Sequence, residues 1–426
     1  MSEVIEKLQR AKAACAKLAL LSATQRKSAL RQSAQALRDN CAEIIAANAA
    51  DVAAARAKDT AEPLVDRLLL TTERIAKMAS ALEQVADQPE VLGEVVSGRS
   101  LYNGIALRQI RVPLGVVAII YEARPNVTAD AAGLCLKTGN TLVLRGGSLA
   151  IHSNLCLSRI LHDAGVEAGL PAGWLQSIET TERSAANELM GAHGLVDLLI
   201  PRGSAGLIRS VVEQAQVPVI ETGAGNCHIY VHRAADPDLV IPIVLNAKTQ
   251  RPGVCNACES LLVDRAVADR FVPPLLDALT AAGVRVHLDP TYKPAEAWSG
   301  LATADGSPLV CPADDDDWGR EYLGLEISLK LVDGLDQAIA HINHYSTHHS
   351  EAILSRDYTA CQAFFAGVDS ACVYANASTR FSDGGEFGLG AEIGISTQKL
   401  HARGPMGAAA LTSTKYLLEG DGQIRD

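Results

Sequence analysis

At 426 residues, 48% apolar and 20% charged, the chain has more material than one ordinary core holds and reads as two or three folded domains rather than a disordered polymer. A formal charge of −11 leaves no basic footprint, which argues against nucleic acid or an anionic membrane as the main partner; an anionic ligand would need a local basic pocket. The charged opening MSEVIEKLQR, ten scattered cysteines and apolar runs well short of the roughly 20 residues that span a bilayer point to reduced thiols in a cytoplasmic protein without a membrane partner.

Helices come first. Ser22 and Gln25 give a capping-box start, and Leu30, Ala34, Leu37, Cys41, Ile44 and Ile45 follow at spacings of three and four. A second helix begins near Thr72, with Ile75, Ala79, Leu82 and Ala86 on one face. From Ser100 to Val112 the text alternates imperfectly around a glycine, as a protruding β-ribbon does; ribbons with little local core often pair with another subunit.

Short apolar strands then alternate with helical stretches. Val116 to Ile120, Thr141 to Leu144, Leu175 to Ile178, Leu195 to Ile200 and Val217 to Ile220 are the candidate strands; Thr128 to Lys137, Ile151 to Ala168, Arg183 to Met190 and Gly203 to Val212 are the helices between them. That alternation predicts a doubly wound parallel sheet, whose ligands bind beyond the carboxyl ends of its strands. The loops of interest are therefore EARPNV, RGGS, PRGSAG and ETGAGN. A second α/β unit follows, with strands expected at 260–263, 284–287, 309–311, 327–332, 352–354 and 372–374, helices at 267–282 and 335–345, a loop at 346–350, and a last strand at 412–418.

Between the units lies KTQRPGVCNACES, Lys248 to Ser260. Pro252 fixes one backbone angle and Gly253 frees the next, so Cys255 sits on a shaped turn where a loop enters an ordered element; a helix N-terminus there would favour a thiolate. A buried, inert cysteine is the bland alternative. No GxGxxG opens the first sheet, but RGGS (Arg145, Gly146, Gly147, Ser148) and PRGSAG (with Gly203, Ser204 and Gly206) each lead into a helix start able to hold phosphate. Arg145, a cation at the end of the second strand, leans toward a ribose 2′-phosphate and hence NADPH. Asn126 can donate to an oxyanion, or can form an Asx turn after Pro125. Glu221 ends the fifth strand as a general base, a carboxylate tuning the thiol, or a solvated strand end.

Taken in order, YEARPNVTADAAGLCLKTGN, LRGGS, GLPAGWLQ, IPRGSAGLI, ETGAGNCHIY, NAKTQRPGVCNACES, REYLGLEISLKL, NASTRFSDGGEFGLGAEIGIST and QKLHARGPMG closely resemble the γ-glutamyl phosphate reductases, or glutamate-5-semialdehyde dehydrogenases, of the aldehyde dehydrogenase superfamily. The resemblance runs from about Leu107 to Gly407. It implies an aldehyde dehydrogenase-like α/β fold: a doubly wound parallel-sheet cofactor domain (1–98 and 114–234), a second α/β catalytic domain (235–378), a return segment lining the active site (379–399), and a small β oligomerisation ribbon (99–113 and 400–426).

The same resemblance implies the chemistry. Cys255 is the nucleophile and Asn126 an oxyanion donor. Arg145, Gly146, Gly147 and Ser148 form the adenosine side of an NADPH/NADP site, Gly203 to Gly206 the pyrophosphate or nicotinamide side, and Glu321 contacts the nicotinamide ribose. The reaction is reduction of L-glutamate 5-phosphate to the semialdehyde with release of phosphate, the second step of proline biosynthesis. Arg124, Arg380, Lys399 and Arg403 adjoin motif loops and are candidate cations for the substrate's phosphate and carboxylate. A homo-oligomer, dimer or tetramer, is expected, with a functional association to glutamate 5-kinase because an acyl phosphate is short-lived in water.

Glu221 matches the position where hydrolytic members of the superfamily activate water, so a hydrolysing aldehyde dehydrogenase is the alternative enzyme, and a non-catalytic scaffold retaining the fold is the alternative outside catalysis. Cys255 and Cys258 form a lone CxxC, read as nucleophile plus bystander; their oxidation to a disulfide would silence the enzyme. His341, His344, His348 and His349 lack a carboxylate pattern to complete a metal site, so no metal is expected. Asp314 to Asp317 read as an exposed acidic loop.

Overall fold

The computed structural model describes residues 1–303 and 306–425, which divide into two compact units. The first comprises Met1–Thr222, Gly388–Gly394 and Leu400–Asp426; the second comprises Gly223–Phe387 and Ile395–Lys399.

The first unit opens with five helices: α1 (Glu3–Ala19), α2 (Ala23–Asp39), α3 (Cys41–Arg56), α4 (Glu62–Leu68) and α5 (Thr72–Asp87). Ser22 and Gln25 cap α2 reciprocally, as their spacing predicts. The apolar series from Leu30 to Ile45, which reads as one helix, is two, because Asn40 leaves helical geometry at φ −100° and ψ 19° and turns its side-chain amide back to the Ala36 carbonyl at 2.8 Å. That local bond offers the backbone an alternative to continuing the helix. Strand β1 (Val95–Ser100) pairs antiparallel with β2 (Ala106–Pro113), and β2 pairs with the C-terminal strand Thr412–Glu419. Every residue of β1 is exposed, so this three-stranded ribbon has little core of its own.

The parallel sheet follows: β3 (Val116–Tyr121), α6 (Asn126–Lys137), β4 (Thr141–Gly146), α7 (Ile151–Glu167), β5 (Leu175–Ile178), α8 (Arg183–Met190), β6 (Leu198–Arg202) and α9 (Ala205–Gln214). Its order is β5-β4-β3-β6. Successive side chains of a strand point to opposite faces. Accordingly Val117, Ile119 and Tyr121 pack into one core with α2, α5, α6 and α7, while Val116, Ala118 and Ile120 pack into another with α1 and α8. Helices on both faces make the sheet doubly wound. The strand expected at Val217 to Ile220 is reduced to a single bridge, Leu199 with Val219. Pro218 accepts from Leu199 but has no N–H to return, and proline cannot extend a ladder.

The second unit is a seven-stranded parallel sheet built from β7 (Cys227–Val231), α10 (Pro237–Thr249), β8 (Cys258–Asp264), α11 (Ala268–Ala281), β9 (Arg285–Leu288), α12 (Glu296–Ser299), β10 (Val310–Pro312), β11 (Glu326–Val332), α13 (Leu335–Tyr345), β12 (Ser350–Leu354), α14 (Tyr358–Gly367) and β13 (Cys372–Ala375). The order is β10-β9-β11-β8-β7-β12-β13. Its strands agree with the sequence reading within a few residues, but β7, which begins at the end of the motif ETGAGNCHIY, escaped that reading. The alternation of faces recurs: Ile229 and Val231 pack with α10 and α11, Tyr230 and Leu262 with α13 and α14. Among the described residues no helix is long and apolar enough to cross a membrane.

One turn sets the entry to β3. Gly115 has φ +131°, and a Cβ there would lie 2.1 Å from Asp197 Oδ2, the atom that accepts the Val116 N–H at 2.8 Å. Gly115→Ala is therefore expected to destabilise the protein by about 1–3 kcal/mol, read as a lowered midpoint of urea unfolding.

Candidate active site

In the second unit the chain leaves α10 at Thr249, turns through Cys255 and enters β8 at Cys258. The ordered element that the loop enters is a strand, as expected at 260–263, so no helix N-terminus lies there to favour a thiolate. Cys258–Asp264 is buried on both faces, as a central strand of a parallel sheet is, and the helix adjoining the loop presents its C-terminus. Cys255 is half-buried, unlike Cys258, which is wholly buried and whose thiol is pushed up to about 12 by that burial. The two halves of the CxxC thus occupy different environments.

Three contacts hold the Cys255 loop. Gly225 packs so closely that a Cβ on it would stand 1.4 Å from the Cys255 carbonyl oxygen. Cys227 Sγ donates to that same oxygen at 3.2 Å, and burial raises the Cys227 thiol well above its ordinary range, which keeps it protonated for that role. Asn256 donates to the carbonyls of Arg380 and Ser382 at 3.2 and 2.9 Å, while its own carbonyl accepts from Thr379 Oγ1 at 2.7 Å. These bonds bring Arg380 to the loop. Its guanidinium donates to Gln250 at 3.0 Å, burial lowers its affinity for the proton, and it lies within electrostatic reach of Cys255.

Glu321 reaches the same place from the other side, its carboxylate accepting the Gly225 N–H at 2.7 Å. Behind it, the His287 ring stacks on Tyr322 at 5.0 Å and pairs with Asp317 at 3.3 Å and Glu326 at 3.1 Å. Tyr322 and Arg320 also bind Asp317, at 2.9 and 3.4 Å. Burial alone would lower the His287 value, but hydrogen bonds to Cys311 and Glu326 and the charge of Asp317 raise it to about 9. Asp317 is buried, so the run Asp314 to Asp317 is in part an internal clamp on the Glu321 loop rather than wholly an exposed loop.

The histidine series behaves differently. His341 is buried against Trp318, Tyr345 and His228, and burial followed by neighbouring positive groups lowers it to about 3, so it is neutral. Among the described residues no group of three His, Cys, Asp or Glu could hold a metal ion. Lys399 is exposed and pairs with Asp369.

In the first unit, the loops marked in the sequence gather at the carboxyl ends of the strands. Asn126 is the exposed first residue of α6, its amide donating to Asp130 at 3.0 Å; burial raises the Asp130 carboxyl to about 6. Arg145 donates to the carbonyls of Thr181 and Glu182 at 2.6 and 3.2 Å, while its Nε is buried without a partner. A Cβ on Gly146 would press on the Asn154 amide, whose nitrogen and oxygen are likewise buried and unpartnered. Ser204 caps α9, Gly206 opens onto free space, and Ser148 is exposed. Arg124 is half-buried, Arg403 exposed and Glu221 half-buried, each at its motif loop.

Sequence reading missed Glu122. It directly follows β3, which has β4 on one side and β6 on the other, and accepts both the Ser204 N–H at 2.8 Å and its hydroxyl at 3.4 Å; a Cβ on Gly203 would collide with it. The topological rule for such sheets would have singled out this crevice had the strand order been known. Cys227 and Asn256 were missed as well, since small polar residues beside a cysteine carry no signal of what they bind.

A thiol on a braced loop beside a cation in one unit, and glycine loops on a doubly wound sheet in the other, are features of an α/β oxidoreductase. Residues 1–294 match the aldehyde dehydrogenase family. The chain is 52% identical to the γ-glutamyl phosphate reductase of Moorella thermoacetica over 99% of both chains, and 51% identical to that of Thermobifida fusca over 98% of this chain and 97% of the relative. The crystal structure of γ-glutamyl phosphate reductase from Thermotoga maritima superposes with a TM-score of 0.93 at 42% identity, each chain covered fully. This chain belongs to the aldehyde dehydrogenase family and, within it, to the γ-glutamyl phosphate reductases.

Because Gly225 has no room for a side chain, Gly225→Ala should displace the Cys255 carbonyl and lower turnover about 100-fold, as misplacements near 1 Å do, measured by steady-state kinetics. The folded value for His287 exceeds the ordinary 6.5, so the charged ring contributes stability that is complete below pH 6.5 and is lost as pH rises through about 9. Melting temperature should fall across that window in the wild type and change less in His287→Gln.

Proposed function

We propose that the protein reduces L-glutamate 5-phosphate to L-glutamate 5-semialdehyde and phosphate, using NADPH and a thioacyl intermediate on Cys255, as the second step of proline biosynthesis from glutamate. The observation that carries the reading is the braced, half-buried Cys255 beside Arg380, in a chain with full-length γ-glutamyl phosphate reductase relatives.

The Cys255 thiolate attacks the acyl carbon, the bond from that carbon to the phosphate oxygen breaks, and phosphate departs with the electron pair, leaving a thioester. The Cys255 N–H and the Asn126 amide hold the oxyanion; Asn126 would exchange its bond to Asp130 for this one. Arg380 offers charge to the leaving phosphate, with Arg124, Lys399 and Arg403 as further candidates for phosphate and α-carboxylate; Lys399 would first give up Asp369.

The loops of the first unit fit a polar cofactor, because the unpartnered Arg145 Nε and Asn154 amide border RGGS and the capped start of α9 lies open at Gly206. Arg145, Gly146, Gly147 and Ser148 would hold the adenosine side, Gly203, Ser204 and Gly206 the pyrophosphate or nicotinamide side, and Glu321 the nicotinamide ribose. The chemistry NADPH supplies when bound is a hydride for the thioester carbonyl. The exposed ribbon of β1, β2 and Thr412–Glu419 supports a homo-oligomer, dimer or tetramer, with Tyr416 and Leu418 exposed on its outer strand. A cytoplasmic location and functional association with glutamate 5-kinase complete the reading.

The test is the reverse reaction, glutamate semialdehyde with NADP⁺, with and without phosphate, for wild type and Cys255→Ala. Phosphate-dependent NADPH formation that the substitution abolishes is expected. Formation without phosphate would shift the reading to a hydrolytic dehydrogenase in which Glu221 activates water, and tight NADPH binding with no turnover would favour a non-catalytic scaffold.

A further inference from the structure

Lys248 stands at the end of α10 and Glu259 at the start of β8, so the segment between them is the Cys255 loop. Lys248 Nζ lies 2.6 Å from Glu259 Oε2, and both side chains are fully buried. Burying two charges forfeits their hydration, and replacing such pairs with apolar residues of similar volume is often neutral or stabilising, so the pair is weak evidence for a stabilising role. Burial pushes the Glu259 carboxyl up to about 7, against the opposing pull of Lys248.

The second carboxylate oxygen explains more. Glu259 Oε1 accepts the N–H of Leu323 at 3.3 Å. Leu323 has φ +56°, a left-handed conformation that a branched side chain rarely adopts and that needs holding in place. Two residues before it, Glu321 accepts the Gly225 N–H, and Gly225 abuts the Cys255 carbonyl. The contacts close a ring: Lys248, Glu259, Leu323, Glu321, Gly225, Cys255. One carboxylate thus ties the base of the thiol loop to the turn that aims Glu321.

We propose that Glu259, held by Lys248, is a positioning residue that fixes the Cys255 loop and the Glu321 turn relative to each other. The proposal rests on the reading of Cys255 as nucleophile and of Glu321 as a cofactor contact. It predicts that removing the pair alters thiol reactivity and cofactor KM even in a protein that remains folded.

The test uses Glu259→Gln, which retains an acceptor for Leu323, and the double variant Lys248→Met with Glu259→Met, which removes both charges and that acceptor at nearly constant volume. Each is measured for cooperative melting, for iodoacetamide alkylation of Cys255 followed by peptide mass spectrometry, and for kcat and KM of NADP⁺ in the reverse reaction. In the double variant we expect cooperative melting, Cys255 alkylation slowed several-fold, kcat lowered by on the order of 10- to 100-fold and a raised KM for NADP⁺. Wild-type alkylation and kinetics in the folded double variant would overturn the proposal, and so would failure of both variants to fold, which would assign the pair to stability. Alkylation needs no substrate, so a wild type that is alkylated at Cys255 yet inactive on glutamate semialdehyde would count against the proposed reaction and leave this test intact.

Discussion

Gly225 and Cys255 meet backbone to backbone, at a separation that excludes even a methyl group, and the second unit is arranged around that contact. It couples the segment entering β7 to the loop entering β8, so the cysteine carbonyl cannot shift without moving Gly225. Glu321 occupies the glycine's N–H and Cys227 the cysteine's carbonyl, which leaves neither peptide group free to rotate toward water. A flexible turn is thereby converted into a fixed one. The position demands glycine despite that residue's entropic disadvantage, because no other residue permits the approach.

Within each unit taken by itself, the loops of interest leave a different end of the sheet. In the first unit the relevant loops leave the carboxyl ends of strands and enter helices, so helix N-termini face outward and suit phosphate. In the second unit, Gly225, Cys255 and Leu323 all precede strands, at the amino ends of the sheet. There α10 arrives with its C-terminus, whose partial negative charge disfavours a thiolate. Positive charge has to come from side chains. Arg380, carried in by the bonds of Asn256, and Lys248, paired with Glu259 beneath the loop, are two of the cations the fold delivers there.

Several buried polar groups of this unit bind backbone as well as one another. Glu351 accepts the His228 N–H at 2.6 Å, Asn226 donates to the carbonyls of Trp318 and Tyr345, and Glu259 serves Leu323. Each side chain closes a backbone group in a loop, at a helix end or near a strand start. Such groups are costly when unpaired and directional when paired, so they specify one loop arrangement more sharply than apolar packing does.

Local signals were readable from the residues alone: the Ser22 capping box, the apolar runs of nearly all strands, the Pro252–Gly253 turn before Cys255, and the glycine loops of the first sheet. These depend on backbone sterics and periodicity acting over a few residues. The break at Asn40, the collapse of the Val217–Ile220 strand at Pro218, and β7 were misread because each hinges on a single hydrogen bond or on neighbours in the sheet. What only the tertiary structure decided is which polar residues serve the site. Glu122, Asn256, Cys227 and Glu259 look ordinary in sequence, and Glu259 meets Leu323 across 64 residues while Gly225 meets Glu321 across 96. Those meetings follow from strand order, β11 beside β8 and β8 beside β7, which no local pattern encodes because it is set by how whole helices and strands bury their faces together.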